Sequence, residues 1–445
     1  MPPTNRPLPA SEFRRRRRQL MRMMGADSIA IIPTAREQLR NNDVHFPFRP
    51  DSDFHYLTGF PEADAVAVLI PGRKQGQYIL FCRERDPQAE QWEGRRAGQE
   101  GAREQYAADD AFPIGDLDEI LPRMLEQCER VFYAMGCDAQ LDRRMSTWIR
   151  QVRRKARAGI SAPLEFIALD HYLHELRLYK SRSEIALMRR CARISANAHR
   201  HLMRVCQPGM HEYQLEAEFI HQCSQAGARE QAYPAIVGGG ANACVLHYIE
   251  NDQTLNDGDL VLIDAGCELH CYASDITRTF PVNGRFSPEQ RALYELVLEA
   301  QLAAIDEVKP GNHWNAPHER AVKVLTRGLV KLGLLEGRVP RLLRDEAYKP
   351  FYMHRTGHWL GMDVHDVGNY KVDGEWRELE PGMVLTIEPG LYIAPRQKGV
   401  AKKWRGIGIR IEDDVLVTRD GHDVLSGDAP KTVEAIEATM NEGKT

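Results

Sequence analysis

The chain has 445 residues, 43% of them hydrophobic and 27% charged, with a formal net charge of −4 at pH 7. That length allows two or three domains, each with its own core. The charge balance argues against a nucleic-acid or anionic-membrane partner, and no apolar run approaches the roughly 20 residues that a transmembrane helix needs. The opening Met1-Pro-Pro-Thr-Asn5 lacks the charged-then-apolar pattern of a signal peptide, so the expected location is the cytoplasm. Nine cysteines, an odd number, fit reduced thiols better than a disulfide framework.

In chain order, the first feature is the basic run Arg14 to Arg18, between a cap signal at Ser11-Glu12 and the apolar Leu20, Met21, Met23 and Met24. It is expected to be the solvated face of an amphipathic helix rather than a nucleic-acid patch. Strands are expected at Ser28–Ile32, Ala65–Ile70, Tyr78–Phe81 and Val131–Ala134, with helices at Leu117–Arg130 and Ala139–Lys155. Strands alternating with helices predict an α/β domain over residues 1–176, closed by a linker within 172–183.

Residues 177–445 carry a longer-range pattern. Ser181-Arg-Ser-Glu184 reads as a capping box opening a helix that runs to Cys206-Gln-Pro208-Gly209, and a second helix follows from His211. Ser287-Pro-Glu-Gln290 repeats the signal, with proline at the first helical position; its helix runs to Val308-Lys-Pro310-Gly311, and another follows from His313. Helix, Pro-Gly, helix and strands therefore recur about 100 residues apart. The reading is an internally duplicated α+β domain around an antiparallel sheet.

Five side chains of metal-ligand type lie in this second part: Asp264, Asp275, His358, Glu388 and Glu412. Asp264 ends the apolar run Val261-Leu-Ile263, Asp275 follows on the returning strand, and Glu388 and Glu412 end Met383–Ile387 and Gly408–Ile411. Four carboxylates and an imidazole converging on one point would repel each other unless cations lay between them. Hard oxygen donors with a single imidazole favour Mn²⁺, with Co²⁺, Fe²⁺ or Zn²⁺ as alternatives. Two such ions would acidify a bridging water and stabilise a tetrahedral oxyanion, with a carboxylate beside them shuttling the proton. His247, His354 and His365 cluster in sequence with these ligands. His354 and His358 are four apart, but Arg355 and Gly357 exclude the His-Glu-x-x-His zinc motif. Cys267 and Cys271 around His270 lack a second pair, so a structural zinc is not expected there.

The segment Phe351 to Gly368, with Asp264-Ala-Gly266, Thr386-Ile-Glu388-Pro-Gly390 and Gly408-Ile-Arg410-Ile-Glu412, resembles the Xaa-Pro aminopeptidase (aminopeptidase P) family. The stretch Asn41-Asn-Asp43 to Ser52-Asp-Phe-His-Tyr-Leu-Thr-Gly59 resembles that family's N-terminal signature, so the likeness spans nearly the whole chain. It implies a pita-bread catalytic domain with pseudo-twofold symmetry and removal of an N-terminal residue that precedes proline. Asp264 would chelate one of two metal ions, Asp275 and Glu412 would bridge them, and His358 and Glu388 would complete the other shell. Glu388 would also shuttle the proton. His247 and His365 would bind the substrate carbonyl, Arg410 and Tyr233 would orient Asp264, and His354 would line the proline pocket, with Trp92 supplied by a neighbouring subunit. A homo-oligomer, dimer or tetramer, is implied, with peptides as partners. One departure is the pair Arg355-Thr356 between the two histidines, where the family usually has small or apolar residues.

The closest rival is a prolidase restricted to Xaa-Pro dipeptides, since the same metal set serves both. A scaffold or a creatinase-like enzyme on this fold would not need the five ligands.

Overall fold

The computed structural model describes residues 8–442, so the Met1–Asn5 start lies outside the described residues. The chain forms two compact units that meet in sequence between Arg177 and Leu178. No helix among the described residues is long and apolar enough to cross a membrane.

The N-terminal unit is built on a six-stranded mixed sheet. Its strands lie in the order 110–113, 78–82, 66–69, 28–33, 130–132 and 165–167. The central strand, Ser28–Pro33, pairs antiparallel with Val66–Leu69 and parallel with Arg130–Phe132. Alternate residues, Ile29 and Ile31, Val66 and Val68, Ile79 and Phe81, pack on one face against Leu117, Leu121, Met145 and Trp148 of the helices Leu117–Met124 and Ala139–Arg153. The α/β architecture follows from that period of two.

Two expectations fail here. The basic run lies on the first helix, Ala10–Met24, but Arg16 and Arg17 are buried, not solvated. Their guanidinium groups donate to the carbonyls of Tyr56 (2.9 Å) and Leu57 (2.7 Å), at the end of the helix Ser52–Thr58. They also lie over the Tyr56 and Tyr78 rings, both at 4.0 Å. The last carbonyls of a helix lack intrahelical partners and carry partial negative charge, and here buried arginines satisfy them. The expected linker at 172–183 is instead largely the helix Leu169–Leu178, because Leu173, Leu176 and Leu178 give it a buried side.

The C-terminal unit is the duplicated α+β domain. Both capping boxes form: the Glu184 amide donates to Ser181 Oγ (3.3 Å) at the start of Arg182–Val205, and the Gln290 amide to Ser287 Oγ (3.3 Å) at the start of Pro288–Ile305. Each long helix turns at a positive-φ glycine, Gly209 or Gly311, into Glu212–Gln225 or Ala316–Lys331. Strands of the first half, Ile236–Gly239, Leu260–Asp264 and Thr277–Pro281, pair antiparallel. In the second half Val384–Ile387 pairs with Asp413–Val417, and Gly390–Ile393 with Ile407–Arg410.

The antiparallel ladder is therefore broken into short pieces, and the breaks matter. Ile387 is opposite Asp413 and Gly390 is opposite Arg410, which leaves Glu388-Pro389 facing Ile411-Glu412 outside the ladder. Proline has no N–H to give a ladder. Both glutamates stand at this gap.

Candidate metal centre

Asp264 ends its strand opposite Thr277, and the next residues pass very close to the returning chain. A β-carbon on Gly266 would lie 1.7 Å from the Ser274 carbonyl oxygen, so only glycine lets Asp264 and Asp275 approach from two sides. Asp275 itself sits between the strands Tyr272–Ala273 and Thr277–Pro281. His358 lies in a segment laid along Val384–Ile387: the Thr386 amide donates to the His358 carbonyl (2.9 Å) and the Glu388 amide to the Thr356 carbonyl (2.8 Å). Gly357 allows that contact, since a β-carbon there would be 2.0 Å from the Thr386 carbonyl.

These elements bring all five expected ligand residues into one cavity of about 440 Å³, also lined by Tyr233, His247, His354, His365 and Arg410. Donor atoms of Asp275, His358 and Glu412 lie within 4.8 Å of one another. His358 Nε2 is 3.3 Å from Asp275 Oδ2 and 3.8 Å from Glu388 Oε1. Its Nδ1 is 2.9 Å from the Trp359 carbonyl, which fixes the proton there and leaves Nε2 as a donor atom for a metal. The Tyr233 hydroxyl lies 2.7 Å from Asp264 Oδ1 and 2.5 Å from Asp275 Oδ1. Arg410 donates to Asp264 Oδ2 at 2.7 Å.

The electrostatics test whether this set fits cations. Burial pushes Glu412 well above the usual carboxylate range, and Asp275, Glu388 and Asp264 add to the effect. Burial raises Glu388 to about 7 against the pull of His358 and Arg410. Asp264 is also raised by burial, although Arg410 opposes it. For Asp275 burial is outweighed by hydrogen bonds from His358 and Tyr233, which hold it low. His358 goes up to about 9: burial acts against the charged ring, but Asp275 wins. Without cations the cluster therefore retains protons that divalent ions would displace. An oxygen-rich, proton-retaining set with one imidazole fits hard divalent metals.

His354 is part-buried, with Nε2 at 2.9 Å from the Tyr392 hydroxyl and Nδ1 at 2.7 Å from the Arg355 carbonyl. Burial and Arg410 depress it to about 3, so the ring is neutral. His247 and His365 are exposed on the cavity wall, the His365 ring 4.3 Å from that of His358. Every lining residue belongs to the C-terminal unit, so Trp92, 88% exposed on Pro87–Glu93, is not one of them.

Several supporting residues escape a reading of the sequence. Thr277 Oγ1 donates to Glu412 Oε2 (2.7 Å), the Asp275 amide to Asp414 Oδ1 (3.1 Å), and Arg410 to the Tyr392 hydroxyl (2.9 Å). A threonine or tyrosine in a strand carries no signal of its own.

With that geometry in hand, the comparisons decide the lineage. Residues 186–419 match the model of metallopeptidase family M24, and residues 13–133 match the aminopeptidase P N-terminal domain. The chain belongs to metallopeptidase family M24. Within the family it is 46% identical to the Xaa-Pro aminopeptidase of Escherichia coli strain K12, over 96% of this chain and 97% of that one. It is also 35% identical to the human Xaa-Pro dipeptidase, over 93% of this chain and 89% of that one. The solved structure of the Pseudomonas aeruginosa aminopeptidase PepP superposes with a TM-score of 0.97 at 62% identity, covering 98% of this chain and 99% of that one. The expected α/β domain followed by an α+β pita-bread catalytic domain is thus borne out.

Proposed function

We propose that this chain is a metal-dependent Xaa-Pro aminopeptidase, releasing the N-terminal residue of peptides whose second residue is proline. The observation that carries the reading is the meeting of Asp264, Asp275, His358, Glu388 and Glu412 in one cavity. The identity to a named Xaa-Pro aminopeptidase along nearly the full chain supports it.

Those five residues would hold two divalent ions, Mn²⁺ by the hardness of the donors. Bound there, the ions supply acidification of water and polarisation of the scissile carbonyl near neutral pH. The chain's own groups do the rest. Arg410 and Tyr233 hold Asp264 in place. Glu388, whose carboxylate lies beside His358 in the cavity, takes a proton from the attacking water and returns it to the leaving nitrogen. That return is needed because the nitrogen must be protonated before it can leave as an amine. His247 and His365 hydrogen-bond the carbonyl oxygen as charge develops on it. The neutral ring of His354, braced by Tyr392, forms part of the slot for proline, and Ile236, Leu246 and Val364 line the same cavity. The exposed Trp92 suits a contribution to a neighbouring subunit's site in a cytoplasmic homo-oligomer.

The dipeptidase reading has the human relative on its side. Product analysis by mass spectrometry separates the two, using Mn²⁺-loaded protein with Xaa-Pro-Yaa, Xaa-Ala-Yaa and Xaa-Pro. Release of Xaa from the first alone is the expected result; cleavage of the dipeptide alone would make the chain a prolidase.

A further inference from the structure

We propose that Arg355 is a specificity-determining residue that reads a carboxylate on the leaving side of the substrate, beyond proline. The inference rests on the aminopeptidase reading above. Only two lysine or arginine side chains line the cavity, Arg410 and Arg355. Arg410 is buried and committed to Asp264, Tyr392 and Thr277. Arg355 is exposed, and its side chain is held by two neutral groups. Its Nη1 donates to Asn315 Oδ1 at 2.8 Å, and its Cζ lies 5.3 Å from the centre of the Trp376 ring.

That arrangement steadies the guanidinium without neutralising it. An amide oxygen and an aromatic face take one N–H and one flat side, and among the described residues no carboxylate pairs with it. A long side chain held in place loses less entropy on binding, and the planar fork matches a carboxylate. The position also gives a direction. Arg355 follows His354, the wall of the proposed proline slot, and its carbonyl receives the His354 ring at 2.7 Å. The N-terminal residue of the substrate belongs at the metal end of the cavity, on the other side of that slot. The group that meets Arg355 therefore lies past proline and is an anion. The shared chemistry is a carboxylate, supplied by the C-terminus of a tripeptide or by an acidic side chain in the third position.

Steady-state kinetics on the full-length, Mn²⁺-loaded protein tests this. One pair of substrates is Xaa-Pro-Ala as free acid and as amide; another is Xaa-Pro-Glu-Ala-amide and Xaa-Pro-Gln-Ala-amide. The anionic member of at least one pair should be favoured by roughly 3- to 10-fold, the range of a rim-exposed but well-shaped ion pair. The advantage should lie in KM rather than kcat, and shrink as salt is added. The preferred pair names the source of the carboxylate. In Arg355→Gln the ratio should collapse to near one, and Arg355→Lys should restore part of it, however the absolute rates move. Equal rates within both pairs, or a ratio unchanged in Arg355→Gln, would overturn the inference while leaving the aminopeptidase intact. A protein that cuts no Xaa-Pro bond would instead bring down the reading on which it rests.

Discussion

Glu412 is 2% exposed, yet it shares a cavity with three other carboxyl groups, and the neutral Thr277 hydroxyl donates to it. Side chains so placed are held by what binds between them. Glu388 is the proposed proton shuttle, so Glu388→Gln should lower kcat by about 100- to 10,000-fold, the usual contribution of a positioned acid or base. Stopped assays with Xaa-Pro-Yaa would measure it, and a fall of less than 10-fold would remove Glu388 from the proton path. His365→Ala tests the oxyanion contact in the same assay, with a loss of about 100-fold expected in kcat. The ligand-type residues were legible in the sequence because four acids and an imidazole at strand ends have few other uses. Tyr392, Thr277 and Asp414 were not, since each acquires its role from a partner distant in sequence, such as Glu412 for Thr277.

The gap in the ladder at Glu388-Pro389 and Ile411-Glu412 is kept in register by a buried network just behind it. Arg278 donates to Asp413 Oδ1 at 2.7 Å and to the Glu412 carbonyl at 2.5 Å; Lys431 and Gln301 reach Asp413 Oδ2 at 2.8 and 2.7 Å. Removing one partner strands a buried charge, so Asp413→Ala should cost about 3–5 kcal/mol in chemical denaturation. Burial opposes the Asp413 charge, but Arg278 and Lys431 win and hold its pKa below the ordinary 3.8. Its stabilisation is thus present above that value and lost as pH falls below it.

His199, on the helix Arg182–Val205, runs by the opposite cause. Its Nε2 is 2.9 Å from the Ala265 carbonyl, and burial depresses its pKa from 6.5 to about 4. The unfolded chain then binds the proton first, so stability should fall as pH drops from 6.5 towards 4, by about 1.4 kcal/mol per unit. His199→Gln should flatten that slope in urea titrations taken across the range. Capping boxes and Pro-Gly turns made the paired helices readable, because those signals are local. The broken ladder and the buried Arg16 and Arg17 were not readable, because pairing partners and helix ends lie elsewhere in the chain.

Across the whole molecule, the duplicated halves meet where the cavity lies. The Glu412 amide donates to the Thr277 carbonyl at 3.1 Å, and Arg410 and Thr279 exchange hydrogen bonds at 3.0 and 3.2 Å. Residues of metal-ligand type from both halves share the cavity, so cations between them should act as a clasp on the domain. Chelated protein should melt earlier than protein with Mn²⁺, and the gap should grow with metal concentration, by about 2.7 kcal/mol at 100 times the dissociation constant. Differential scanning calorimetry reads this directly; an unchanged melting temperature would separate metal from stability.

The proposed chemistry depends most on five side chains making one centre for two ions. Metal content per chain, measured by elemental mass spectrometry after Mn²⁺ loading and gel filtration, tests that claim directly. Two ions per chain are expected, with fewer in Asp264→Ala and Glu412→Ala and peptidase activity lost in step. No retained metal, or full Xaa-Pro cleavage after chelation, would contradict it.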